Sequence, residues 1–172
     1  MTCRAAKSTL KSLKPNSKIQ LRAVADVDLA VFFDYQLDKQ ANYMAAFTAK
    51  DPNNRDAFDA HWEKIRGDEQ VVIKTITVGE EVVGHVASFI MFEQREVTYW
   101  IGKNFWGKGI ATKALTMFLE SLKERPIYAR AAKDNTASLR VLEKCGFTID
   151  GEEKGYANAR GQEIEEYILK LD

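Results

Sequence analysis

Cysteine and histidine are scarce in this chain, and their scarcity argues against several kinds of site. The sequence has two residues of each type, and they do not form the closely spaced clusters that bind zinc. Cys3 lies near the start of the chain, whereas Cys145 precedes a glycine and is expected to pack rather than react. We therefore predict no metal site and no disulfide, as fits a reducing compartment.

Long apolar runs are also missing. Although 45% of the 172 residues are hydrophobic, no run approaches the roughly 20 residues that a membrane-spanning helix needs. The first residues lack the apolar centre of a secretory signal. The apolar residues are spread through short patterned segments, which suits one domain with a sizeable core. The expected location is cytoplasmic, with no membrane partner.

Neither sign of charge is in excess, but the balance conceals an uneven distribution. The chain has 25 basic and 25 acidic side chains. Residues 1–18 hold five of the basic residues and no acidic one, which leaves 20 basic against 25 acidic side chains in residues 19–172. We predict a flexible basic tail over 1–18, with an over-extended start site or a transit peptide as alternatives, and a single, mildly acidic domain over 19–172. No nucleic-acid partner is expected, because the domain lacks a basic patch interleaved with aromatic residues.

Glycines cluster between an apolar strand and a helix in the segment TYWIGKNFWGKGIATKAL, residues 98–115. Gly102, Gly107 and Gly109 allow the backbone to approach a ligand without a Cβ in the way. The residues after Gly109 place apolar side chains near helical spacing, so the turn presents its amides at the beginning of a helix. Such amides bind phosphate groups, and we predict a phosphate or pyrophosphate site here.

Two kinds of phosphate loop fit these glycines, and the nucleotide-binding P-loop is the weaker match. The run GKNFWGKG fits G-x-x-x-x-G-K, but Gly109 stands where that loop needs a Ser or Thr hydroxyl for Mg²⁺. The next predicted strand, IYARAA, alternates instead of being continuously apolar, unlike the strand expected downstream of a P-loop. The P-loop is therefore the less favoured alternative.

The other match has two parts with the correct order and spacing. Asn104, Gly107 and Gly109 stand at the positions of a (Q/R)-x-x-G-x-G/A loop, with Asn104 departing from the usual Gln or Arg. Residues 135–147, NTASLRVLEKCGF, match an N-x-x-S/A-x-x-L-Y/L-E-K-x-G-F helix and turn. Together the two segments resemble the GCN5-related N-acetyltransferase (GNAT) superfamily, and most of all its branch of ribosomal-protein N-terminal acetyltransferases. The resemblance covers roughly residues 19–172.

The periodicity of the chain agrees with the fold that this resemblance implies. It predicts the order βααβββαβαββ, with helices beginning near residues 26, 56, 110 and 136 and strands over 19–24, 71–78, 82–92, 97–101, 127–132, 147–152 and 165–171. The resemblance implies an α/β fold: a central, mostly antiparallel twisted sheet with helices on its flanks. Its one parallel pair, strands 97–101 and 127–132, would splay apart and admit the pantetheine of acetyl-CoA.

The same resemblance implies acetyl-CoA as the acyl donor, bound without a metal. The residues expected to bind it are Trp100, Ile101, Gly102, Gly107, Lys108, Gly109, Ile110, Ala111, Asn135 and Ser138. Amides of the glycine turn would bind the pyrophosphate, and an amide near Trp100 or Ile101 would polarise the thioester carbonyl. Two alternatives remain open: Lys108 also fits an ordinary solvated side chain, and Asn135 a helix N-cap.

The implied reaction is direct attack of a primary amine on the acetyl thioester through a tetrahedral intermediate. An alkyl amine, with a pKa of about 10, is mostly protonated at neutral pH, so a general base is needed. Glu96 is the candidate by resemblance, with an exposed strand-edge charge as the alternative, and His85 is a further candidate. Many relatives carry a Tyr acid where this chain has Leu142. Ser138, one turn earlier, is the candidate to hydrogen-bond the departing sulfur. The alternatives are that the thiolate leaves without a protein acid and that Ser138 is a small residue that lets the cofactor pass.

The acceptor is the part of the reaction that the sequence specifies least. The resemblance implies a small-molecule amine or a peptide N-terminus, bound by a monomer or homodimer. The acceptor site would be formed by residues 33–47, the hairpin strands and a late loop between Gly155 and Gly161. Because Leu142 leaves the usual acid position empty, a non-catalytic acyl-CoA-binding or interaction module on the same fold is the alternative function.

Overall fold

The computed structural model describes residues 18–172, so the tail predicted for residues 1–18 lies outside the described residues except for Lys18. Seven strands form one sheet: β1 (Ile19–Arg22), β2 (Val72–Val78), β3 (Glu81–Met91), β4 (Gln94–Ile101), β5 (Ile127–Ala132), β6 (Thr148–Ala157) and β7 (Gln162–Leu171). The helices are α1 (Asp26–Gln36), α2 (Lys39–Ala45), α3 (Arg55–Gly67), α4 (Ile110–Ser121) and α5 (Thr136–Lys144), with a 3₁₀ turn at Lys103–Phe105.

The sheet has the predicted mixed architecture. Its strand order is β1-β2-β3-β4-β5-β7-β6. Strands β1 to β4 are antiparallel neighbours, β4 and β5 are parallel, and β5, β7 and β6 are again antiparallel. The predicted α/β fold with one parallel strand pair is confirmed.

The parallel pair separates soon after it forms. Strands β4 and β5 are registered at only two positions, Arg95 with Ile127 and Glu96 with Tyr128. Beyond them β4 continues to Ile101 and β5 to Ala132 with no ladder between the two strands. We call the space between these two unpaired ends the β4–β5 gap. It lies in the middle of the sheet, where backbone groups that usually form a ladder are left without that pairing.

Opposite faces of β4 serve different purposes because side chains alternate along a strand. Val97 and Ile101 pack in the main core with Leu115 and Phe118 of α4, and we call this the α4 face. Glu96, Thr98 and Trp100 have the opposite parity and lie on the other face. A smaller cluster of Phe32, Phe58 and Trp62 from α1 and α3 packs on that second face.

Helix α2 was not predicted, and tertiary contacts explain its presence. It has only 7 residues, too few for a helical period to be apparent in the sequence. Its N-cap Asp38 accepts a hydrogen bond from the Ala41 N–H at 2.8 Å, and Asn135 Nδ2 donates to the Met44 carbonyl at 3.0 Å. A side chain more than 90 residues away thus helps to hold this segment.

Three strand boundaries differ from the prediction by three residues or more. Strand β4 begins at Gln94, so Glu96 lies inside the strand rather than before it. Strands β6 and β7 are longer than predicted and are joined by residues 158–161 alone. The first three residues of the expected late loop, 155–157, are therefore strand. A Cβ at Gly155 would lie in a tight contact, 3.2 Å from the ring of Phe47.

Between residues 18 and 172, every helix is too short or too polar to cross a lipid bilayer.

Candidate active site

Gly107 and Gly109 hold the turn between β4 and α4 in a conformation that favours glycine. Both have a φ of 72°, in the left-handed region that costs other L-residues roughly 1–2 kcal/mol. No atom lies within 4 Å of the point where a Cβ would stand on either residue. The surface of the turn is therefore open, and its backbone can contact a ligand directly.

The backbone N–H groups of this turn are available for a ligand. Helix α4 begins at Ile110 after the N-cap Gly109, and Lys113 N–H donates to the Gly109 carbonyl. The N–H groups of residues 107–112 donate to no acceptor in the described chain. They lie at the positive end of the α4 dipole, where anions are stabilised. The turn thus supplies the donors that a pyrophosphate group requires.

Side chains around the turn contribute less than its backbone does. Ile110 is buried and Ala111 is half-buried, so their side chains offer little surface to a ligand. The Lys108 ammonium donates to the Asn104 carbonyl at 3.0 Å and lies 5.5 Å from the ring centroid of Phe105. The charge of Lys108 is therefore directed back over the 3₁₀ turn, while its amide stays exposed.

The backbone N–H groups of Ile101 and Trp100 point to opposite sides of β4. Residues of an antiparallel strand point their N–H and C=O groups alternately to one neighbour and to the other. Gly102 N–H donates to the Val83 carbonyl of β3 at 2.9 Å, so the Trp100 amide also faces β3 and the Ile101 amide faces the β4–β5 gap. In agreement, the Ile101 carbonyl accepts a hydrogen bond from the Trp106 indole at 2.8 Å. Ile101, and not Trp100, offers an amide to the gap.

Gly102 has a structural reason to be glycine. A Cβ at this position would lie 2.7 Å from the ring of Tyr35, whose hydroxyl donates to the Val82 carbonyl at 2.7 Å. The missing side chain lets α1 pack against the end of β4. The predicted contact of Gly102 with acetyl-CoA stays a prediction, and it would not use the Gly102 N–H, which is bonded to β3.

Asn135 and Ser138 lie together at the beginning of α5. Asn135 is the N-cap, since its Oδ1 accepts the Ser138 N–H at 3.1 Å, and its Nδ2 donates to the Met44 carbonyl at 3.0 Å. Both ends of the Asn135 amide are used within the fold, as the capping alternative predicted. Leu142 is 2% exposed and packs in the core, so no acid can act from its position.

Ser138 contacts a residue that the sequence did not single out. Tyr99, on the α4 face of β4, places its hydroxyl oxygen 2.8 Å from Ser138 Oγ. Burial raises the pKa of Tyr99 to about 12, against a smaller lowering by the bond to Ser138. Since α5 follows β5, this hydrogen bond joins the two sides of the β4–β5 gap. The only sequence signal was a polar hydroxyl at a core-facing position of an apolar strand.

Glu96 is buried, so the alternative of an exposed strand-edge charge is wrong. It is 2% exposed, and its Oε1 accepts a hydrogen bond from Arg130 Nε at 3.0 Å. Arg130 Nη1 also donates to Glu153 at 2.6 Å and to Glu166 at 3.3 Å. Glu96 therefore belongs to a network in which one guanidinium faces three carboxylates.

Burial decides the basicity of this network. Desolvation raises the pKa of Glu96 and that of Glu166, although Arg130 stabilises the charged form of both. A carboxylate with a raised pKa is a better general base at neutral pH than an ordinary one. Sequence reasoning missed Arg130, and the signal for it was a single cation inside the otherwise apolar strand IYARAA.

An open surface adjoins Glu96 on the face opposite α4. Thr98 is exposed even though it belongs to the central strand of the sheet. Glu96 and Trp100 lie on either side of it along β4, and Trp100 is half-buried. A molecule can therefore reach this face of β4 beside Glu96.

His85 is poorly suited to act as a base. It is the cross-strand partner of Trp100, and its ring lies 4.8 Å from that of Phe32 and 5.0 Å from that of Trp62. Burial, and to a smaller extent the charge of His61, lowers the pKa of His85 to about 4. An imidazole of this kind is neutral at physiological pH but too weak a base to deprotonate an ammonium group efficiently.

Over residues 18–172 no three His, Cys, Asp or Glu side chains are grouped so as to hold a metal ion.

Comparison with known proteins connects this geometry with one family. Residues 18–148 match the family model described as "Acetyltransferase (GNAT) domain". An uncharacterised N-acetyltransferase, p20, of Bacillus licheniformis is 32% identical over 100 residues, which are 54% of this chain and 56% of that protein. YdaF of Bacillus subtilis, named provisionally as a ribosomal N-acetyltransferase, is 35% identical over 80 residues, or 43% of this chain and 44% of that one. The chain thus matches about half the length of these relatives.

Solved structures share the fold at lower identity. The spermidine N-acetyltransferase of Vibrio cholerae, crystallised with CoA and spermine, superposes with a TM-score of 0.78 at 19% identity. The match covers 91% of this chain and 96% of that one.

Proposed function

Because this chain belongs to the GNAT acetyltransferase family, we propose that it transfers the acetyl group of acetyl-CoA to a primary amine. One observation carries the proposal: the unpaired amides of residues 107–112 lie next to a gap into which the Ile101 amide also points. Trp106 joins the two parts, since it belongs to the turn and its indole bonds the Ile101 carbonyl. A single extended molecule with a pyrophosphate at one end and a thioester at the other fits both.

On the α4 face, backbone groups would hold the donor. Amides of residues 107–112 neutralise the pyrophosphate together with the helix dipole, and no metal is needed for this. The Ile101 amide donates to the thioester oxygen and stabilises the negative charge that develops on it during attack. The geometry required is rigid, because the sheet holds β4 in place on its β3 side.

On the opposite face, Glu96 would take the proton that the amine must lose through intervening water. Direct contact is too far, because Glu96 precedes Ile101 by five residues of β4, roughly 16 Å along the strand. The carboxylate lies at the point where β4 and β5 begin to separate, beside the open surface at Thr98. Its raised pKa favours proton uptake near neutral pH. Arg130 keeps the carboxylate oriented and prevents its complete neutralisation. After attack, the C–S bond breaks and Ser138 hydrogen-bonds the departing sulfur.

The acceptor is proposed to be cationic. Three carboxylates surround the one guanidinium of Arg130, which leaves an acidic environment beside the open surface and attracts ammonium groups. The neighbours acting on spermidine and the relative named for ribosomal proteins represent the two classes to test: polyamines and basic peptide N-termini.

The experiment measures release of the CoA thiol from acetyl-CoA with a panel of polyamines, amino acids and N-terminal peptides. We expect release that depends on the acceptor, with mass spectrometry showing one added acetyl group on its amine. Tight CoA binding without acceptor-dependent release across the panel would instead support the non-catalytic module. Mg²⁺-dependent ATP binding without CoA binding would overturn the proposal in favour of a P-loop function.

A further inference from the structure

A hydrogen bond across the β4–β5 gap gives Ser138 a fixed position. Its backbone N–H donates to Asn135 Oδ1 at 3.1 Å, and its Oγ lies 2.8 Å from the hydroxyl of Tyr99. One contact comes from its own helix and the other from the facing strand. Ser138 is thus held from two directions at the beginning of α5.

The direction of the Tyr99–Ser138 bond follows from the acidities of the two groups. A phenol, with a reference pKa of about 10, is a far stronger donor than an aliphatic hydroxyl. Burial favours the neutral phenol of Tyr99, which therefore keeps its proton to donate. With Tyr99 donating, Ser138 Oγ accepts, and in the described chain the Ser138 hydroxyl hydrogen has no acceptor of its own. That hydrogen is left for a ligand in the gap.

We propose that Tyr99 is a positioning residue that turns the Ser138 hydroxyl into a hydrogen-bond donor for the sulfur of CoA. The inference deepens the acetyl transfer proposed above and rests on it. It also accounts for Leu142: the phenol that many relatives carry on α5 has its counterpart on β4, acting through a serine. A donor already accepting a bond from a phenol is polarised and therefore donates more strongly.

The step balances without a protein acid. When the C–S bond breaks, its electron pair stays on sulfur, and the Ser138 hydrogen bond stabilises this charge. The thiolate then takes a proton from solvent. This proton replaces the one that the amine gave to Glu96 and that Glu96 then released to solvent. Tyr99 and Ser138 keep their own protons throughout.

Binding of CoA and of desulfo-CoA, which lacks the sulfur, tests the inference without turnover. At a pH where free CoA is largely a thiolate, calorimetry should show that the wild type binds CoA about 10-fold more tightly than desulfo-CoA. This is the gain expected of one charge-assisted hydrogen bond. Ser138→Ala should bind both ligands equally, and Tyr99→Phe should lose most of the preference. The matched control is Tyr35→Phe, which removes another buried tyrosine hydroxyl and its bond to the Val82 carbonyl but does not contact Ser138. It should keep the full preference.

Turnover gives a second test through a double-mutant cycle. Tyr99→Phe should lower kcat by about 5–10-fold with little change in the KM of the acceptor, and should change nothing in a Ser138→Ala background. Additive losses, or an unchanged CoA preference in Tyr99→Phe, would overturn the inference. A wild type that binds CoA but acetylates no acceptor contradicts the proposed function alone, and the desulfo-CoA comparison still decides the role of Tyr99.

Discussion

Arg130 Nε donates to Glu96 Oε1 at 3.0 Å at the place where β4 and β5 begin to separate. The bond puts the candidate base on the face of β4 opposite α4, beside the opening of the sheet. Arg130 retains Glu153 and Glu166 as partners, so removal of the Glu96 charge leaves the guanidinium paired. The role of Glu96 can therefore be tested without unfolding the protein.

Glu96→Gln should lower kcat at least about 100-fold while CoA affinity stays unchanged, because a positioned base contributes a factor of that order. Since the pKa of Glu96 is raised and the base acts as a carboxylate, wild-type kcat should rise with pH through that raised pKa. The kcat of the variant should lack this rise with pH. Glu153→Gln is the control, since its exposed carboxylate shares Arg130. Equal losses in both variants would remove Glu96 from the mechanism.

Gly109→Asp should weaken CoA binding by 10-fold or more, because the added carboxylate repels the pyrophosphate and the left-handed backbone is strained. Gly161→Asp is the matched control, with a φ of 63° and equally open space in the β6–β7 turn. Both variants should lose similar stability. If calorimetry shows the same CoA affinity in both, the glycine turn is not the pyrophosphate site.

Asp28 should make the stability of the folded protein depend on pH in the acid range. It is 1% exposed; burial raises its pKa, but hydrogen bonds from Arg22, the Ala25 amide and Thr75 outweigh that and lower it to about 2. This stabilisation, about 2–3 kcal/mol for a shift of that size, is present above the unfolded pKa of 3.8 and is lost as the pH falls through about 2.

Asp28→Asn should therefore cost about 2–3 kcal/mol near pH 7 and flatten the acid dependence, as measured by urea unfolding at several pH values. In the exposed pair of Asp59 with Arg55, Asp59→Asn should cost less than about 0.5 kcal/mol. A similar cost for both substitutions would contradict the buried role of Asp28.

His85 should remain neutral over the physiological range. Because burial lowers its pKa to about 4, its contribution to stability is complete above the unfolded value of 6.5 and is lost as the pH falls through about 4. The sequence has two histidines, so NMR needs to follow only two imidazole signals, and a His61→Gln variant assigns them. A His85 signal titrating near pH 6.5 would contradict this enclosed position and reopen its candidacy as a base.

Local signals in the sequence predicted most of the architecture. The apolar alternation of strands 71–78 and 82–92 was sufficient for the hairpin, and the helix after Gly109 was predicted from spacing and glycines alone. Helix α2 was missed because its 7 residues lack a period and depend on Asn135, which approaches only in the folded chain. The loop from Gly155 was wrongly extended because that glycine accommodates Phe47, a contact distant in sequence.

The sequence by itself determined the family, the glycine turn proposed to bind the donor, and Leu142 at the usual acid position, because these depend on residue type and spacing along one segment. Only the tertiary structure decided which atoms face the gap. Ladder register directs the Ile101 amide to it and the Trp100 amide away. Burial and the hydrogen bond from Arg130, 34 residues distant, set the pKa of Glu96. Tyr99 meets Ser138 across 39 residues, and no local pattern encodes a contact between a strand and a later helix.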